Sequence, residues 1–220
     1  MRPLELRCCA VAERVTLRSI DEAVQAVTDA AAGHARTIVG IAGSPGSGKS
    51  TLAAELVAGL GARSALLPMD GFHLPQATLR ELGRRDRMGA PDTFDVAGFA
   101  STLAALRTPG QAVRAPGFDR KIEEPVADAV IIEPDQDVVV VEGNYLLLDH
   151  GGWEGVAAQL DLTLFLELER SIRLARLIER HERYGKTPEV ARAWALGPDE
   201  ANARQIEATA QRATHRICLG

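Results

Sequence analysis

Eight consecutive residues, Gly43-Ser44-Pro45-Gly46-Ser47-Gly48-Lys49-Ser50, satisfy every fixed position of the pattern G-x-x-x-x-G-K-[ST]. Glycines at the first, fourth and sixth places reach backbone angles closed to other residues. The turn, which also includes Ser44, Pro45 and Ser47 and runs on to Thr51, can then point successive N–H groups at phosphate oxygens, and a helix starting here adds its positive end. Lys49 is placed to reach the β- and γ-phosphates of a nucleotide, and the Ser50 hydroxyl to bind Mg²⁺. Lysine usage agrees: of 25 basic residues only Lys49, Lys121 and Lys186 are lysines. A chain that prefers arginine has kept a compact, flexible ammonium at this position.

Two carboxylates stand where such a site would need them. Ser64-Ala65-Leu66-Leu67-Pro68-Met69 reads as a strand and leads into Asp70-Gly71-Phe72-His73. Parallel strands of a right-handed βαβ unit end at one sheet edge. Asp70 is therefore predicted beside the phosphate loop, as the base that takes the proton of an attacking hydroxyl; an ordinary Asp-Gly turn is the alternative. Asp137 to Val141 is a near-continuous apolar run, as in a strand buried on both faces, and it ends in Glu142-Gly143-Asn144-Tyr145. An acid there is placed to hold Mg²⁺, directly or through water; the alternative is a buried Glu on a backbone donor. Within the helical stretch Glu169 to Tyr184, Arg173, Arg176, Arg180 and Arg183 share one face. For any one arginine a salt-bridged surface suffices, since Glu169 and Glu179 sit one turn before Arg173 and Arg183. The stripe as a whole reads as a lid that brings guanidiniums to a transferring phosphoryl group.

The elements that must position these groups follow from pattern and punctuation. A capping box, Ser19 to Glu22, opens a helix that Gly33 can end. Thr37 to Ala42 is a strand, and the helix after the glycine-rich turn runs to about Leu60, with Gly61 as its stop. Residues 74–97 are irregular or partly helical; Arg80, Arg84, Arg85 and Arg87 there serve either as solvated surface or as anion contacts. Val96 to Leu106 is a helix closed by Pro109-Gly110. Val113 to Lys121 is extended, either a substrate wall or an exposed hairpin. Ala129 to Ile132 and Leu160 to Leu168 are strands. Gly185 and Pro188 can hinge the lid, helical segments cover 189–196 and 199–213, and Arg216 to Leu219 can form a last short strand.

The 220 residues suit one domain, 1–220, with a small lid over about 169–190. A hydrophobic content of 46% and a charged content of 25% are ordinary for a soluble globular chain. The net charge of −5 argues against broad attraction to nucleic acid, and the basic islands Arg80–Arg87 and Arg170–Arg183 suit a small anionic ligand. Cys8, Cys9 and Cys218 lack the spacing of a disulfide framework or zinc site. Glu5, Arg7 and Glu13 do not fit a signal peptide, no apolar run is long enough to span a membrane, and the cytoplasm is the expected location. A guanine-specific N-K-x-D pattern and the second glycine-rich signature of a transporter ATPase are both missing. A small-molecule kinase remains, or else an ATP-binding regulatory or interaction protein with no small-molecule acceptor.

The segments Gly43 to Thr51, Met69 to His73, Gly89 to Asp95, Pro116 to Arg120, Glu142 to Leu148 and Arg173 to His181, in this order and spacing, resemble the uridine kinase, phosphoribulokinase and bacterial pantothenate kinase superfamily. The short bacterial branch labelled nucleoside/nucleotide kinase-like, or fructose transport system kinase, is the most similar. The resemblance covers residues 37 to about 215. It implies a three-layer α/β phosphate-loop fold with a mainly parallel sheet and a small helical lid, and ATP- and Mg²⁺-dependent transfer to a hydroxyl. It implies Asp70 as base, Lys49 and Ser50 on phosphate and Mg²⁺, Glu142 near the metal, and some of Arg173, Arg176 and Arg180 on phosphate. It puts His73, Phe94, Asp95, Arg120, Asn144 and Tyr145 on the acceptor side. Pantothenate kinases carry Tyr-Ser-His where this chain has Gly117-Phe118-Asp119, and uridine kinases follow the aspartate with Ser-Phe-Tyr rather than Gly-Phe-His. A nucleoside such as uridine, a sugar and a pantothenate-like acid therefore all stay open as acceptors. The expected partner is a small-molecule substrate, not nucleic acid or membrane, and a homodimer is open because relatives often dimerise.

Overall fold

Thr37–Ala42, buried along its whole length, is the strand that leads into the glycine-rich turn. The computed structural model describes residues 15–108 and 110–219. In chain order they form β1 (Val15–Leu17), α1 (Ile20–Ala31), β2 (Thr37–Ala42), α2 (Lys49–Leu60), β3 (Ser64–Pro68), α3 (Gln76–Glu81), α4 (Val96–Leu106), β4 (Val113–Asp119), β5 (Glu124–Ile132), β6 (Val138–Glu142), α5 (Trp153–Ala157), β7 (Leu162–Leu166), α6 (Arg170–Arg183), α7 (Pro188–Leu196), α8 (Pro198–Glu207) and β8 (His215–Ile217). Six strands make one sheet in the order β1-β8-β7-β2-β6-β3, and every pairing in it is parallel.

Side-chain alternation sorts the strands into two cores, as the period of two requires. Val138, Val140, Val39 and Ile41 pack on one face with Leu52 and Leu56 of α2 and Ala23 and Val27 of α1. Val139, Val141, Ile38 and Leu67 pack on the other with Phe99 and Leu103 of α4 and Trp153 of α5. Each fully buried aliphatic side chain contributes about 1.5–3 kcal/mol, and burial on both faces forces the apolar run seen in β6. The result is the three-layer α/β arrangement expected from the sequence. Among the described residues no helix is long and apolar enough to cross a membrane.

Several expectations need correction. β1 was not anticipated; its three residues are too few to show a period, and it is held by parallel pairing with β8. The strand expected at Ala129 to Ile132 begins at Glu124 and lies outside the main sheet, paired antiparallel with β4. Residues 74–97 hold α3 and two 3₁₀ turns, Arg85–Arg87 and Pro91–Thr93. The last long helix stops at Glu207 and a 3₁₀ turn, Ala210–Arg212, replaces its expected end. Pro188 is the first residue of α7, where its missing N–H costs nothing. The capping box is shifted: Ser19 accepts from Glu22 N, while the Glu22 carboxylate reaches Arg18 N at 2.6 Å. Cys8, Cys9, Pro109 and the charged N-terminal stretch lie outside the described residues.

Candidate active site

β2 delivers the glycine-rich turn to the carboxyl edge of the sheet, between β7 and β6. Gly46 has φ +80, and a Cβ there would lie 2.7 Å from Leu177 Cγ and 2.9 Å from the Arg173 carbonyl. Only glycine fits under α6. Gly48, at φ 99, is the residue before α2, and no side chain caps that helix. The first amides of α2 thus face the cavity, which is the electrostatic arrangement that receives phosphate. The Ser47 hydroxyl, expected at the nucleotide, is instead turned toward Gly43, is not among the residues that line the cavity, and is buried without a hydrogen-bond partner among the described residues. A glycine cradle and an uncapped helix start together fit the phosphates of a nucleotide.

Lys49 is 7% exposed and its ammonium donates to the Ser44 carbonyl at 3.1 Å. Burial lowers its pKa to about 8, against the pull of Glu142 and Asp70. Ser50 Oγ donates to Glu142 Oε1 at 3.1 Å. Burial raises the pKa of Glu142, and the negative charge of Asp70 adds to the rise. A hydroxyl and a carboxylate of this kind, beside a phosphate cradle, suit Mg²⁺, which is held through one or two protein oxygens plus substrate phosphates.

The register explains why a second acid arrives here. Pro68, the last residue of β3, pairs with Glu142, the last of β6. Asp70 follows two residues later in a 3₁₀ turn, Met69–Phe72. Gly71 must be glycine, because a Cβ would fall 2.0 Å from the Pro116 carbonyl; this close approach docks the β4–β5 hairpin onto the turn. Arg120, just past β4, donates from Nη2 to Asp70 Oδ2 at 2.5 Å. His73 Nδ1 lies 2.8 Å from the Asp70 carbonyl, so Nδ1 carries the proton. Its ring sits between Phe94 and Phe118, at centroid distances of 4.0 and 4.7 Å, and burial holds its pKa below the usual value.

Lys49, Ser50, Asp70, Glu142, Arg120 and Arg176 line a single cavity of about 710 Å³. Pro45, Gly46, Gly48, Thr51, His73, Phe94, Asn144 and Arg180 line it too. Expected residues that do not line it are held elsewhere. Arg173 is 1% exposed, and its guanidinium is bound by Glu200 at 2.6 Å, so it supports the phosphate loop from behind rather than facing the cavity. Asp95 is exposed and caps α4 through Gly98 N at 2.9 Å. Tyr145 is fully buried, and its hydroxyl donates to the Gly89 carbonyl at 2.5 Å. Ser44 Oγ is bound to Glu207 at 3.0 Å. Gly43 stands behind the loop: its Cβ would meet the Leu166 carbonyl at 2.8 Å.

Sequence reasoning anticipated the helix α8 but missed what it holds. Its Glu200 holds Arg173 and Arg170, its Glu207 holds Ser44, its Asn202 donates to Gly89 O, and its Asp199 pairs with His181 at 2.7 Å. One helix thereby ties together the phosphate loop, the arginine helix α6 and the loop after α3. Acids on a ten-residue helix carry no signal for this, since exposed acids are commonplace; Pro198 at its start marks only its boundary. Phe118 was noted only within a motif, and Arg85 and Glu123, paired at 2.5 Å in the cavity wall, were not grouped.

Residues 38–196 match the model of the Phosphoribulokinase / Uridine kinase family. The chain is 35% identical over 176 residues to a candidate uridine kinase of Schizosaccharomyces pombe, a match that covers 74% of each chain. It is 35% identical over 181 residues to the uncharacterized Escherichia coli protein YggC, covering 78% of this chain and 73% of that one. The solved structure of a candidate fructose transport system kinase from Silicibacter sp. TM1040 superposes with a TM-score of 0.84 at 38% identity, covering 90% of this chain and 98% of the other.

Proposed function

We propose that this chain, which belongs to the phosphoribulokinase / uridine kinase family, transfers the γ-phosphoryl group of ATP to a hydroxyl of a small polar metabolite. One observation carries the reading: Lys49, Glu142 and Asp70, delivered by three neighbouring strands, meet at one cavity wall. The uncapped start of α2 and the Lys49 ammonium hold the β- and γ-phosphates. Ser50 and Glu142 are the residues that would hold Mg²⁺, which when bound neutralises phosphate charge. Asp70 takes the proton of the acceptor hydroxyl as its oxygen bonds to the γ-phosphorus. The bond from that phosphorus to the β–γ bridging oxygen breaks, and ADP leaves with the electron pair. Arg176 and Arg180, on the cavity side of α6, balance the charge on the transferring group.

The acceptor is one of the classes left open above: a nucleoside such as uridine, a sugar, or a hydroxy acid such as pantothenate. ADP release with Mg-ATP, measured against members of each class, tests the proposal. The expected result is ADP release that depends on one acceptor, with one phosphorylated product per ADP. ATP binding without acceptor-stimulated release by any class would overturn it.

A further inference from the structure

The Asp70 carboxylate does not stand free. Arg120 Nη2 is 2.5 Å from Asp70 Oδ2, and this is the only hydrogen bond of that guanidinium among the described residues. The rest of its planar donor fork is therefore open, and its side chain is 46% exposed beside the cavity. The arginines at 84, 85 and 87 are spent, and Arg176 and Arg180, which also line the cavity, serve the transferring phosphoryl group in the reading above. Arg85 is bound by Glu123 at 2.5 Å and by Gln76 at 3.1 Å, which also neutralises the Glu123 charge. Arg84 and Arg87 are bound to Asp92.

An acceptor hydroxyl that engages Asp70 competes with Arg120 for the carboxylate. Pulling the two charges apart leaves both short of a partner in a half-closed cavity, which is unfavourable. An anionic group on the acceptor removes that penalty, because a carboxylate or phosphate fits the guanidinium fork in a bidentate pair. His73 reads the other part of the same molecule. Its Nδ1 proton is given to the Asp70 carbonyl at 2.8 Å, so Nε2 has a lone pair for a hydroxyl and nothing to offer an anion.

Resting on the kinase reading above, we propose that the acceptor is a hydroxyl compound bearing an anionic group, carboxylate or phosphate, which draws Arg120 off Asp70 as it binds.

The test uses matched pairs, D-glycerate against glycerol, pantothenate against panthenol, and ribose 5-phosphate against ribose, with wild-type protein and Arg120→Gln. In the first arm the protein is saturated with Mg-ADP, so that the phosphate loop is filled, and the shift in melting temperature is read. Stabilisation by an anionic member, absent for its neutral twin and lost in R120Q, is expected; the pair that responds distinguishes carboxylate from phosphate. In the second arm ADP release is read. R120Q should lower kcat/KM for the anionic acceptor about 10- to 100-fold while KM for ATP stays within about twofold. Neutral members that stabilise or react as well as their anionic twins overturn the proposal, as does the absence of any anion-specific shift. The two readings fail separately. Turnover of a neutral acceptor sinks the anionic class and keeps the kinase, whereas Arg120-dependent anion binding without ADP release from any acceptor sinks the kinase alone.

Discussion

On the phosphate side of the cavity, Gly46, Gly48, Lys49 and Ser50 come from one unbroken octapeptide at the end of a buried strand. On the acceptor side, Asp70, His73, Phe94, Phe118 and Arg120 come from a 3₁₀ turn, an irregular loop and a hairpin outside the main sheet. The phosphate side is positioned by backbone: φ angles, a helix start and a close approach to α6. The acceptor side is positioned by side chains bonded across long sequence distances. A backbone cradle serves any nucleoside triphosphate alike, whereas a side-chain assembly can be altered residue by residue without disturbing the sheet, so selectivity belongs on the second side.

The contrast is broken most severely by losing the ammonium on the phosphate side. Lys49→Met should reduce kcat/KM for ATP on the order of 10⁴-fold, because both ground-state phosphate contact and transition-state charge balance are lost. Isothermal titration with ATP and single-turnover ADP formation check both parts. Asp70→Asn should act chiefly on the other side. ATP binding is expected within about twofold of wild type, with transfer down on the order of 10³-fold. Transfer at near the wild-type rate in this variant would remove Asp70 from the role of base.

The same contrast governs what the sequence could reveal. The phosphate side was legible because its chemistry needs residues at fixed neighbouring positions, and Glu142 was legible because a buried strand leaves one polar residue at its end. Asp70 followed from topology, as strands that run parallel end together. Arg173 and Tyr145 resemble contact residues in the linear pattern, but burial decides otherwise: one is held by Glu200, the other by Gly89. Their partners lie 27 and 56 positions away, and no local periodicity reports such pairings. The helix α8 was legible, but its role was not, for the same reason: that role lies in what it holds and not in its own composition.

A titration separates the halves more gently. Burial lowers the Lys49 pKa to about 8, so in the free protein the ammonium is present below that pH and is lost as pH rises through it. Bound phosphates favour the charged form, and ATP binding above pH 8 must therefore take up a proton. The Kd for ATP should rise with pH above about 8, by at most about tenfold per pH unit. Lys49→Arg, whose charge does not titrate in this range, should flatten that rise even if it binds more weakly throughout. A Kd for ATP that is unchanged between pH 7 and 10 would contradict the placement of a titrating ammonium on phosphate.

The smallest expected effect falls on the acceptor loop. The Gly89 carbonyl accepts from Tyr145 Oη at 2.5 Å and from Asn202 Nδ2 at 3.4 Å, so that the turn after β6 and helix α8 both hold the loop that carries Phe94. Tyr145→Phe removes the shorter bond and keeps the buried ring against Trp153 and Phe94. A net hydrogen bond of about 1 kcal/mol corresponds to roughly a fivefold rise in KM for the acceptor, with KM for ATP unmoved. Asn202→Ala alone should do less, its bond being long. Together the two changes should cost more than the sum of their separate effects, because each donor partly covers the loss of the other at one shared carbonyl. Simple additivity in the double mutant would mean that Gly89 is not the point through which the loop is held.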